Sequence, residues 1–131
     1  NNLNKLVNRF VIIGILLTVI AGLLSFALHE VVFEIFVGEE FREISYMLPI
    51  IVIAGGIFGT AMLIGSKLFA LMSAREAMPA SIISSIIGIL ASIIGVYYFS
   101  IIGAIYAILI HAISYFILII STKPKQKLKS V

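Results

Sequence analysis

The chain has 131 residues, of which 62% are hydrophobic and 11% charged, and its mean hydropathy is +1.24, far above the roughly half-apolar composition of soluble domains. A soluble globule of this size is excluded. The absence of cysteine excludes a disulfide framework and a thiolate metal site, and the two histidines, His29 and His111, are too far apart for a local ligand pair. The net charge of +3 lies at segment boundaries and in the tail, not in a groove-reading element, so nucleic acid is not an expected partner. No metal or cofactor is expected.

Formal charge is missing from Phe10 to His29 (20 residues), Ile44 to Ser66 (23) and Ala77 to Thr122 (46). A helix crossing the hydrocarbon core needs about 20 apolar residues. As one helix the third stretch would run ~69 Å, over twice a core of about 30 Å, so it must fold back once. The expectation is an all-α integral membrane protein with four transmembrane helices, at about 6–28, 46–72, 79–98 and 102–120. The opening Asn1-Asn2-Leu3-Asn4 reads as the inside of a longer polypeptide or a trimmed one.

The first span follows Lys5 and Arg9 and precedes an acidic cluster of Glu30, Glu34, Glu39, Glu40 and Glu43. Ser25-Phe26-Ala27 has signal-peptidase spacing, but the apolar run exceeds the ~7–15 residues of a signal core. Glu30 and Glu34 make one acidic stripe at i,i+4, suited to a helix end emerging through headgroups. Gly38 should break that helix, with Glu39 to Glu43 as a charged connection. The second span carries Pro49 in its first turn, where a missing N–H costs little. Lys67 sits about four residues inside its far end and can snorkel to the headgroups. Ser73 to Met78 should then form a short polar turn, with Pro79 opening the third span. Reversal of the long uncharged stretch is expected at Tyr97-Tyr98-Phe99-Ser100, before Gly103, a combination suited to a tight interfacial turn. Ser121 onward, with four lysines and no acid, stops the fourth span.

Lysine and arginine near span ends set orientation, and acids count little. One side collects Lys5, Arg9, Lys67, Arg75 and four tail lysines; the other holds Arg42 alone. Both ends of the segment are therefore expected in the cytoplasm, as an even number of spans requires.

Membrane helices associate through close backbone approach and interhelical hydrogen bonds, so stripes of small residues are the places to look. Gly55 and Gly59 form a GxxxG pair, with Ala61 and Gly65 repeating the spacing. Ser81, Ser85, Gly88, Ser92 and Gly95 recur at intervals of four and three along the third span. Ala104, Ala107, His111 and Ser114 share a face of the fourth. These stripes read as helix packing, or as the lining of a substrate cavity. His111, an ionisable group near mid-span, is a candidate site residue by its depth; the alternative is a neutral imidazole hydrogen-bonded to a neighbouring helix. Lys67 and Arg75 are further candidates for a substrate path. No Walker loop, HExxH or Gly-x-Ser-x-Gly occurs, and the chain has no aspartate, so an enzyme is not expected.

Three passages, in order, carry a resemblance. Val37-Gly38-Glu39-Glu40-Phe41 leading into Tyr46-Met47-Leu48-Pro49-Ile50 is similar to the "FG-x-E" passage between two helices of the polysaccharide and O-antigen flippases, members of the multidrug/oligosaccharidyl-lipid/polysaccharide exporter superfamily. Leu68 to Glu76 is similar to that family's short basic cytoplasmic turn. Tyr97 to Ala107, containing Ile102-Gly103-Ala104-Ile105-Tyr106-Ala107, resembles the "G-x-x-GAA-x-A" element that opens a last helix. Where the family usually has glycine ahead of this turn, the chain has Phe99-Ser100.

The resemblance implies a C-terminal transmembrane domain, residues 1–131, forming part of a MATE-like helical bundle with the remaining N-terminal helices of the same polypeptide. It implies transport of a polyprenyl-pyrophosphate-linked oligosaccharide across the cytoplasmic membrane for cell-surface polysaccharide biosynthesis, with membrane lipid and the lipid-linked glycan as partners. Such cargo needs a hydrated, often cationic path, to which Lys67, Arg75 and a protonated His111 could contribute. Two rivals remain. One is a self-contained four-helix small transporter, for which the first span lacks the needed carboxylate between Arg9 and Glu30; the other is a structural or assembly membrane protein.

Overall fold

The computed structural model describes residues 2–71 and 74–122, with side chains over 5–69 and 77–122. Among these residues every regular element is helical: α1 (Asn2–Phe36), a 3-10 helix (Glu39–Ile44), α2 (Met47–Leu71) and α3 (Ala74–Ser121). Three helices are long and apolar enough to cross a membrane, over Lys5–Phe36, Met47–Phe69 and Ala77–Ser121.

α1 continues two turns past the expected end of its apolar core, and the acidic stripe at Glu30 and Glu34 is helical. It stops where the Val37 and Gly38 N–H groups both bond the Phe33 carbonyl, and Gly38 takes φ 112°, a conformation side chains rarely adopt. The charged connection becomes the 3-10 helix, fastened back onto α1 at two points. Arg42 donates to Glu30 at 2.6 Å, and His29 Nδ1 lies 2.8 Å from the hydroxyl of the buried Ser45.

α2 begins and ends within one residue of the expected span, with Pro49 in its first turn. α3 begins at Ala74, five residues before Pro79, which is inside the helix and not at its start. Proline this close to a helix N-terminus forfeits a single backbone bond, so the good helix formers before it extend the helix backwards. The expected polar turn is therefore helical from Ala74 on, and Ser73 lies outside the described residues.

The long uncharged stretch reverses where its composition placed the turn. Ser100 has φ 54° and ψ −132°, in the half of the map that glycine enters freely and serine does not. Helix continues on both sides, giving limbs 74–99 and 101–121. The limbs run antiparallel, with Gly95 against Gly103 and Gly88 against His111. Tyr97, Tyr98 and Phe99 crown the turn and are exposed, and Tyr97 meets Tyr98 edge to face at 5.0 Å.

α2 is the centre of the assembly: α1 packs on one flank and α3 on another. Of the spans, 28% of α2 is buried against 6% of α1. The α1–α2 contact is antiparallel in constant register, Gly14 facing Thr60, Thr18 facing Gly56 and Gly22 facing Ile53. On the α3 side, Ala61 and Leu68 join Ala77 and Ala80 of the first limb and Tyr115 and Ile119 of the second in a buried cluster. Buried Met47, Ala54, Ala61 and Leu68 recur every seven residues along α2, the periodicity of a left-handed helix seam. Almost every large side chain of α1 is exposed, as expected of a helix meant for hydrocarbon and not for water.

Candidate functional site: the groove of the α3 hairpin

The two limbs of α3 touch through glycine and alanine, and this closeness leaves shallow grooves along both edges of their seam. One edge is apolar, lined by Ala91, Ile94, Phe99 and Tyr106 among others. The other encloses about 480 Å³ and is lined by Ser85, Gly88, Ile89, Ser92 and Ile93 of the first limb and by Ala107, Ile108 and His111 of the second. Gly88 and Ala107 are buried, Ser92 and His111 half-buried, and Ser85 exposed.

His111 lies in this groove with its side chain against Gly88; a Cβ on Gly88 would lie 2.9 Å from the imidazole Cγ. On its other side the ring meets Phe58 of α2, centroids 5.5 Å apart, and Phe58 in turn meets Tyr115 at 5.3 Å. The imidazole is thus held between the small Gly88 and the ring of Phe58, and it stays partly accessible from the groove. The expected hydrogen bond from His111 to a neighbouring helix is not made among the described residues.

Many of the hydroxyl groups are satisfied within their own helix. Thr18, Thr60, Ser66, Ser84, Ser121 and Thr122 each donate to a carbonyl three or four residues back, at 2.7–3.0 Å, which satisfies them without any outside partner. Ser85 and Ser92 in the groove, and Ser81, Ser100 and Ser114 outside it, make no such bond among the described residues. A second pair of grooves, between α1 and α2, shows the contrast. They share Thr18, Val19 and Ile53 and continue onto Ile113 and Phe116 of α3, yet their threonine hydroxyls are turned into the helix backbone. That side of the molecule therefore presents hydrocarbon, and the hairpin groove presents polar atoms.

The other candidates fall elsewhere. Lys67 is one heptad beyond Thr60, on the flank of α2 that faces α1, and the antiparallel register sets it level with Val7 and away from His111. Arg75 belongs to the first turn of α3, with its side chain outside the described residues. His111 and Lys67 are thus not brought together. Gly55 and Gly59 have nothing within 4 Å of an added Cβ, so the GxxxG pair does not pack inside this chain. The glycines of α2 that do are Gly56, with Thr18 directly over it, and Gly65, beneath the Tyr115 hydroxyl at 2.9 Å. Ser81 is exposed, while Ser84, one position off the expected stripe, is buried. Gly95 lies in the hairpin seam, Ala104 beside it half-buried.

The packing role of Gly56, which with Pro49 could instead mark a bend in the second span, and the contacts of Thr18, Phe58 and Ser84 are not legible in the small-residue stripes. Thr60 at i+4 from Gly56 was the available signal for the first, a small pair one residue out of phase with the GxxxG. Among the described residues no cluster of three His, Cys, Asp or Glu is close enough to hold a metal ion. No protein-family model, curated protein or solved structure matches the chain.

Proposed function

We propose that the chain is the transmembrane C-terminal part of a flippase that moves a polyprenyl-pyrophosphate-linked oligosaccharide across the cytoplasmic membrane. In this reading the two limbs of α3 are separate spans, giving four with α1 and α2, and both ends of the segment lie in the cytoplasm. The four helices form one portion of a MATE-like bundle, the rest of which comes from N-terminal helices of the same polypeptide. One observation carries the reading. Ser85, Ser92 and His111, none of which makes a hydrogen bond among the described residues, line one groove between the limbs of α3, while the grooves beside α1 are lined by hydrocarbon. Unpartnered polar groups are costly in lipid, so such a face belongs against a hydrated path. The order of the three passages that resemble the flippases supports the choice of cargo, and the hairpin turn at Ser100 falls inside the third of them.

Two experiments test it. A reporter fused after Val131 is expected to register cytoplasm; a signal from the outer side would remove the four-span arrangement. In the complete polypeptide, His111→Ala is expected to lower export of lipid-linked glycan roughly tenfold, the loss of about one hydrogen bond, with the amount of protein in the membrane unchanged. Unimpaired export would return His111 to packing.

A further inference from the structure

We infer that Tyr46, Tyr97 and Tyr98 form an anchor for lipid headgroups at the acidic end of the chain, holding the bilayer surface level with the α3 turn and leaving the last turns of α1 and the 3-10 helix in water. The anchor does not depend on the cargo. It requires only that the helices span a membrane.

Helix registers set the heights. α1 and α2 run antiparallel, with Gly14 opposite Thr60, Thr18 opposite Gly56, Gly22 opposite Ile53 and His29 bonded to Ser45. The start of α2 at Met47 therefore lies level with Leu28. α2 and the second limb of α3 run parallel, since Phe58 meets both His111 and Tyr115, and Gly65 meets Tyr115 and Ile119. Carried back along the limb, this offset sets Ser100 level with the start of α2. Tyr46, just before α2, and Tyr97 and Tyr98, just before Ser100, thus reach one height from two separate elements. All three are exposed.

The same registers set Lys67 level with Val7 of α1 and with the last turn of α3. Met47 and Lys67 stand ~30 Å apart along α2, which is the thickness of a bilayer's hydrocarbon core. Between these two heights α2 and both limbs of α3 carry no formal charge, and α1 carries only Arg9, about 3 Å from the Lys67 height. α1 continues ~12 Å past the tyrosines to Phe36. There stand Glu30 and Glu34, with Glu39, Glu40, Arg42 and Glu43 of the 3-10 helix fastened to α1 by the Arg42–Glu30 pair.

These features pin the bilayer surface from both sides. Moving it outward would draw the carboxylates into hydrocarbon, which is expensive, and moving it inward would lift apolar side chains of all three helices into water. Tyrosine suits the boundary that remains, with an apolar ring for the acyl chains and a hydroxyl for the headgroups.

The chain contains no tryptophan, so single fluorescent reporters can be placed. Tyr46→Trp, Tyr98→Trp and Phe36→Trp are to be made one at a time in the complete polypeptide, with any tryptophan outside these residues replaced by phenylalanine. Each is reconstituted into phosphatidylcholine vesicles whose acyl chains carry bromine either near the ester or at the tip. Emission from Tyr46→Trp and Tyr98→Trp should be lost mainly to bromine near the ester. Phe36→Trp should lose none to either lipid and should be quenched by iodide from the water. Adding Tyr97→Leu and Tyr98→Leu removes two polar ring tips, and the quenching of Tyr46→Trp should then shift toward tip bromine.

Stronger quenching of Tyr46→Trp or Tyr98→Trp by tip bromine in the otherwise unaltered chain would place the bilayer surface elsewhere and overturn the anchor. So would the absence of bromine quenching at both positions, which would mean that protein covers the rings. Quenching of Phe36→Trp by either lipid, or its protection from iodide, would overturn the placement of the end of α1 in water. An unmoved Tyr46→Trp signal in the double-leucine protein would deny the tyrosines an anchoring role.

Discussion

Gly103→Val is expected to stop the α3 hairpin from closing. A Cβ on Gly103 falls directly onto the Gly95 carbonyl, and one on Gly95 lies 2.6 Å from the Gly103 oxygen. These are backbone atoms, which no rotamer change can move aside, and the pair is only one turn from Ser100, so the limbs cannot slide past each other without reshaping the turn. Overpacking of this kind costs about 1–3 kcal/mol or more, and a backbone clash belongs at the upper end. The measurement is the amount of full-length protein that survives in the membrane and its midpoint of thermal unfolding in detergent. Gly103→Val should lose most of the folded protein, with Gly103→Ala intermediate. Gly59→Ala, placed where an added methyl meets nothing within 4 Å, should be indistinguishable from the parent. A folded Gly103→Val protein with an unchanged midpoint would mean that the limbs are not in contact at this level.

Gly56→Leu is expected to detach α1 from α2. The Thr18 side chain sits over Gly56 so closely that even a methyl would displace it, and Thr18 is further anchored by its bond to the Gly14 carbonyl at 2.7 Å. Among the described residues α1 packs chiefly on α2 and the 3-10 helix, so opening this contact removes most of what holds it. The absence of cysteine supplies the assay. A Cβ on Gly14 lies 3.8 Å from the Thr60 Cβ, within the range of about 3.5–4.5 Å that a disulfide spans. A Gly14→Cys, Thr60→Cys pair should therefore cross-link on mild oxidation in the parent background. Adding Gly56→Leu should abolish the bond, and Gly55→Leu, one residue round the helix on an open face, should not. Equal cross-linking in all three would place the α1–α2 contact elsewhere.

Those two glycines also mark the boundary of what the residues alone reveal. Charge and length are coarse, one-dimensional signals, and they located the uncharged stretches, the break at Gly38, the start of α2 and the turn before Gly103. Each of these depends on a residue next to it in the chain. Facing directions depend on partners far away in sequence. On a soluble helix the apolar stripe points to the core, but on α2 every face is apolar, so periodicity carries no direction. Nothing along the chain separates the pair Gly56–Thr60 from the pair Gly55–Gly59; only the position of Thr18 across the interface selects it. The same applies to Ser84, buried beside a stripe of serines that remain open. His111 was visible by its depth in the span, yet its isolation from Lys67 was not, because the separation arises from which flank of α2 meets α1.

The register between α1 and α2 has a mechanical consequence. Opposed positions advance together from Gly14 and Thr60, through Thr18 and Gly56, to the hydrogen bond between His29 and Ser45 and the ion pair from Arg42 to Glu30. A hairpin pinned at intervals along its length and clasped at its closed end bends little. It acts as a beam. In the proposed flippase the pivot for inward and outward opening would then fall on the other flank of α2, where alanines and the aromatic pair of Phe58 and Tyr115 pack against α3.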